Sequence, residues 1–164
     1  MPPFVQKLRV PVRLASLGCE PFEGLLWLSP NAELHEGPET LLERLNTPTR
    51  VLPCLQAGDG GVRLLVRAQL EWVLAGPEVA PELVRPPHFT PTREERVSVR
   101  TLAGGAYEGV LAIDMPHEFN RPSDFLNGEA DFFVLRTDAG AMLFNKSCVL
   151  EIRVHAAAGL RHTA

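Results

Sequence analysis

Little in this sequence announces a particular chemistry. Among 164 residues there are three cysteines, two tryptophans and one tyrosine. Cys19, Cys54 and Cys148 are odd in number, far apart and outside any CxxC spacing. That pattern excludes a disulfide framework or clustered zinc site and suits reduced thiols that behave as small core hydrophobes. His35, His88, His117, His155 and His162 never recur at i, i+3 or i+4, so no metal site is expected. There is no GxSxG, no phosphate loop and no HExxH. Asp114 and Glu118 flank Pro116 in an expected loop and need not converge. The expectation is a chain that is not an enzyme and carries no cofactor.

Long apolar runs are missing as well. None approaches the roughly 18–20 residues needed to cross a bilayer. The opening MPPFVQKLRVPV lacks the apolar centre and cleavage site of a secretory signal, so a cytoplasmic protein without a membrane partner is expected. Basic excess is absent too. The net charge is −4, and residues 1–92 and 93–164 each carry eight basic and ten acidic side chains. Neither half has the surplus that drives phosphate binding through counterion release, which counts against nucleic acid as the main partner.

What is present is ordinary globular material, 45% hydrophobic and 22% charged, arranged as an internal repeat. Val12–Leu28, VRLASLGCEPFEGLLWL, aligns with Val97–Ile113, VSVRTLAGGAYEGVLAI, at an offset of 85 residues. Phe22 then matches Tyr107, Glu23 matches Glu108, Gly24 matches Gly109 and Leu26 matches Leu111. Further on, Leu45-Asn46 matches Leu126-Asn127, and Gly61–Val73 matches Gly140–Ile152. Insertions fall where connections are expected, which predicts a duplicated unit of about 60 residues.

Each unit reads as β. In the second, β-branched and aromatic runs flank Gly104-Gly105, a hairpin signal, and Phe132–Leu135, Met142–Phe144 and Val149–Val154 follow as further strands. Between the second and third strands the segments PETLLERLN and RPSDFLNG predict a helical turn in each unit. Residues 75–96 hold Pro77, Pro81, Pro86, Pro87 and Pro91 and predict an extended, semi-rigid linker. The expected organisation is a small barrel over 1–74, the linker over 75–96, a second barrel over 97–155 and a flexible tail over 156–164.

The glycine hairpin, the run YEGVL and the late GAMLFNKSCVLEI resemble the Sm-like fold, with Gly109, Lys146 and Ser147 at its characteristic positions. The stretch from Arg121 through Lys146 is also similar to a group of small bacterial proteins. These share an Arg-x-Ser/Thr-Asp-x-Leu-Asn turn and a late Asn-Lys, here Arg121, Ser123, Asp124, Leu126, Asn127, Asn145 and Lys146. The first unit departs from that pattern, with Val66-Arg67 in place of Asn145-Lys146. The resemblance implies a mainly β bacterial protein of two tandem Sm-like or SH3-like barrels, each with a short helical insertion, packed as a pseudo-twofold dimer.

Candidate sites follow from both lines. The resemblance implies RNA contact at Asn145 and Lys146, and Arg67 keeps the positive charge in the first unit. Arg121, Asp124 and Asn127 read either as ligand contacts on a turn or as helix caps. A cyclic-dinucleotide-sensing barrel is a further alternative, carried by Arg93, Arg96, Arg100 and the N-x-S of Asn145–Ser147, but Leu150 stands where that pattern needs glycine. Strand alternation turns Trp27 outward and leaves Trp72 partly exposed. Two readings stand for this pair, an interaction surface or packing between the barrels. The leading expectation is a non-catalytic scaffolding module that binds a protein partner or itself through Trp27 and Trp72 or through open strand edges.

Overall fold

In the computed structural model, which describes residues 6–155, alternating apolar residues form ten strands. In β1 (Leu8–Ser16) the buried Val10, Val12 and Leu14 alternate with exposed Arg9, Pro11 and Arg13, the period of a half-covered strand. Next come β2 (Phe22–Leu28), the helix α1 (Leu41–Asn46), β3 (Val51–Gln56), β4 (Val62–Val66) and β5 (Leu70–Ala75). The second half runs β6 (Arg93–Thr101), β7 (Ala106–Ile113), α2 (Pro122–Leu126), β8 (Phe132–Thr137), β9 (Gly140–Asn145) and β10 (Val149–Val154). The flexible tail expected over 156–164 lies outside the described residues.

The halves share their strand order. The sheet reads β10-β6-β7-β8-β9-β5-β1-β2-β3-β4, with every pairing antiparallel. Val12 faces Gly24 across β1 and β2, and Val97 faces Gly109 across β6 and β7. Each half also has a register shift in its last pairing, at Ala15/Ser16 and at Val149/Glu151. Gly24 and Gly109 mark a close approach. A Cβ on Gly109 would lie 2.3 Å from the Arg136 carbonyl oxygen, and one on Gly24 would lie 2.5 Å from Cys54 Sγ.

Three expectations change. The strands make one continuous ten-stranded sheet that does not close, where two separate small barrels joined by a linker were expected. The halves meet through β5 and β9, the last strand of one and the fourth of the other, whereas a pseudo-twofold contact joins like strands. The proline-rich stretch is not simply extended either. Val79 and Val84 are buried in the first core, the Leu42 N–H donates to the Val84 carbonyl, and residues 93–96 already belong to β6. Its prolines are spaced widely enough for the intervening valines to pack.

The β5–β9 seam sets Trp72 against Phe144, Val73 against Leu143, Leu74 against Met142 and Ala75 against Ala141. Side chains alternate across it. Val73 and Leu143 join Leu41, Leu45, Phe132 and Val134 in one core, while Trp72, Met142 and Phe144 join Val97, Leu111 and Phe133 in the other. Asn46 on α1 fastens the same junction. Its Oδ1 accepts from the Phe132 N–H at 2.8 Å and its Nδ2 donates to the Phe132 carbonyl at 3.4 Å. The helix is held for this by a capping box between Thr40 and Glu43.

Gly109→Ala should lower the urea midpoint, a loss of about 1–3 kcal/mol from forcing β7 and β8 apart. An unchanged midpoint would contradict the close approach.

Candidate functional site

The two halves differ most on the outer faces of their third and fourth strands. In β8 and β9, Phe132, Val134 and Leu143 are buried on one face and Phe133, Leu135, Met142 and Phe144 on the other. In β3 and β4 only one face is covered. Leu52, Cys54 and Leu65 point into the core, while Val51, Val62, Leu64 and Val66 stay exposed, Leu64 by 69%. The register places Pro53 beside Leu64 and Leu55 beside Val62, and continues on β2 to the half-buried Leu25. Trp27 lies on the same face as Leu25. The result is a contiguous apolar face across three strands, flanked by charged Arg13 and Glu23 on β1 and β2. Contiguous exposed apolar surface of this kind is uncommon on monomeric globular proteins.

That face runs into an open edge. Among the described residues β4 pairs only with β3. The Arg67 N–H donates to the Arg50 carbonyl and the Gln56 N–H to the Gly61 carbonyl. Ladder alternation from these two bonds turns the N–H and C=O of Val62, Leu64 and Val66 away from β3. Beside the face a concavity of about 610 Å³ is lined by Pro11, Arg13, Glu23, Leu25, Leu55 and Gln56. Arg63 lies over the Phe22 ring at 3.7 Å from its centroid, so its charge is held against the sheet.

The residues singled out from sequence fall in three places. Trp27 is half-buried on the outer face, in reach of a partner. Trp72 is 6% exposed and packs edge-on against Tyr107 at 6.0 Å between centroids, so it takes the packing role at the seam. Arg67, Asn145 and Lys146 do come together, around Asp131 and the end of the seam. Arg67 donates to the Leu45 and Thr49 carbonyls and pairs with the Asp131 carboxylate at 2.8 Å. Asn145 is buried, accepts from the Ser147 N–H and donates to the Ala68 carbonyl across the seam. Lys146 donates to the Gly128 carbonyl, and burial pushes its ammonium down against the opposing pull of Asp131. Arg67 and Asn145 thus spend their polar groups on holding the halves together.

Arg121 and Asp124 form an exposed pair at 2.9 Å in the first turn of α2, and that hydrogen bond holds the Asp124 carboxyl below its usual range. Asn127 is the C-cap of α2, its N–H donating to the Phe125 and Ser123 carbonyls. Among the described residues no three His, Cys, Asp or Glu side chains converge as a metal site, and no helix is long and apolar enough to cross a membrane.

Sequence reasoning turned Trp27 to the outer face but did not single out Val51, Pro53, Val62, Leu64 and Val66 beside it. Their alternation was visible. What it lacked was any sign that the matching face of the other half is covered and this one is not. Compared with known proteins, the chain matches no family model, no curated protein and no solved structure.

With two tryptophans in the chain, single-tryptophan variants separate their roles. Trp72→Phe should leave an emission readily quenched by acrylamide, from Trp27, and Trp27→Phe one that is poorly quenched. The reverse order would contradict the assignment of Trp27 to the outer face.

Proposed function

We propose that this chain is a non-catalytic protein-interaction module of the bacterial cytoplasm, built from two copies of one five-stranded Sm-like or SH3-like unit. The duplication is supported by the shared strand order, the shared β1–β2 and β6–β7 register and the shared position of the register shift. The observation that carries the function is the exposed apolar face of β3 and β4 that continues into an unpaired strand edge. Backbone groups along such an edge supply affinity by adding a strand, and the flanking apolar side chains supply contact area and register.

The alternative Sm-like RNA contact draws on Arg67, Asn145 and Lys146. The first two are already engaged by Asp131, Thr49, Leu45, Ala68 and Ser147, which favours protein binding over that reading. The acidic balance of the chain points the same way.

A photo-reactive amino acid placed at Leu64 tests this in cells. It should yield discrete covalent protein adducts, while the same group at Leu102, exposed on the β6–β7 turn, should not. No adduct at position 64, or the same adducts at both positions, would contradict a docking face on β4.

A further inference from the structure

Resting on the docking face proposed above, we infer that its occupant is a second copy of this chain, which adds its β10 to β4 head to tail. The chain itself displays how such a face is covered. Phe132, Val134 and Leu143 stand in the second half where Val51, Pro53 and Leu64 stand in the first, and they are buried beneath Leu41, Leu45, Val73, Val79 and Val84. The covering half supplies the edge of β5 and the Asn46 grip on the Phe132 backbone.

The second half repeats two of these parts, the strand edge and the Leu-Asn pair, and leaves both unused. Among the described residues β10 pairs only with β6, and the His155 N–H donates to the Arg96 carbonyl. Alternation from that bond turns the backbone groups of Ile152 and Val154 outward, as those of Val73 and Ala75 turn toward β9. Leu150 and Val154 are exposed along this edge. Asn127, the C-cap of α2, belongs to the same Leu-Asn pair as Asn46, the last residue of α1, and among the described residues its side-chain amide has no partner.

Copying the seam register sets Ile152 beside Leu64 and Val154 beside Val62 of the next molecule. It also places Asn127 over the Val51 backbone, whose N–H and C=O point off β3 away from β4. The ends of such a contact are unlike, so it propagates until it closes into a ring or continues as a filament.

Three pairs differ in charge from the internal seam, the first of them Glu151, which would stand opposite Leu65 where Trp72 faces Phe144. Lys146 would meet Arg50 where Arg67 meets Asp131, and Arg153 would stand opposite Arg63 where Leu74 faces Met142. Like charges directly opposite weaken a strand pair. The contact between molecules is therefore weaker than the seam, reversible, and tightened by salt that screens the repulsion.

Light scattering on purified full-length protein, over a range of concentration and salt, tests the assembly. The wild type should exceed 18.0 kDa in whole-number multiples as concentration rises. Leu64→Asp blocks one end and Val154→Asp the other. Both positions are exposed, so circular dichroism should be unchanged and each variant should remain at 18.0 kDa. An equimolar mixture should form one-to-one pairs and nothing larger. Should Val154→Asp unfold, Asn127→Ala serves as the second variant at that end and should weaken assembly at least several-fold.

A wild type that stays at 18.0 kDa under all conditions overturns the inference, as does a mixture that fails to pair. An adduct at Leu64 with a different protein, alongside a monomeric wild type, overturns the self-assembly while upholding the docking face. No adduct together with a monomeric wild type overturns both.

Discussion

Everything in this molecule turns on the strand pairing between β5 and β9. It merges two five-stranded halves into a single sheet and alternates its side chains into both cores, with Val73 and Leu143 in one and Trp72 and Phe144 in the other. The polar fastenings gather at its end. Asn46 holds the Phe132 backbone, Arg67 holds Asp131, Asn145 holds Ala68, and the Cys148 thiol donates to the Leu70 carbonyl at 3.4 Å. Burying residues the size of Phe132, Val134 and Leu143 stabilises such a junction by about 1.5–3 kcal/mol each.

A seam between unlike strands has a structural consequence. It uses the trailing edge of the first half and the leading face of the second, so the complementary pair is left over at the two ends of the sheet. One end carries an apolar face and an open β4; the other carries β10 and Asn127. Two closed barrels or a pseudo-twofold pair would leave no such matched remainder. The charges at Arg63, Arg153, Lys146 and Arg50 moderate that match, in the way charged residues on edge strands restrain uncontrolled pairing.

Much of the fold was legible in the sequence because it depends on local pattern. Alternation in runs such as LRVPVRL, the Gly104-Gly105 turn and the repeated Leu-Asn marked strands, turns and helices close to where they lie. What was not legible depends on which strand lies beside which. Trp72 and Trp27 both sit on alternating strands, yet one is buried because β9 lies next to it and the other is not. Arg67 and Asn145 looked like free polar groups, since their partners, Asp131 and the Ala68 carbonyl, lie 64 and 77 residues away in the chain. The prolines between residues 77 and 91 suggested a spacer, while Val79 and Val84 carried the quieter signal that the segment packs.

Amide hydrogen exchange along the seam is the most direct test of this account. The amides of Val73, Ala75, Ala141 and Leu143, whose pairing joins the halves, should exchange as slowly as those of the central strands. In dilute protein, those of Val62 and Leu64 on the open edge should exchange far faster. Seam amides exchanging as fast as the open edge would mean that the halves are not one sheet, and would contradict the account at its base.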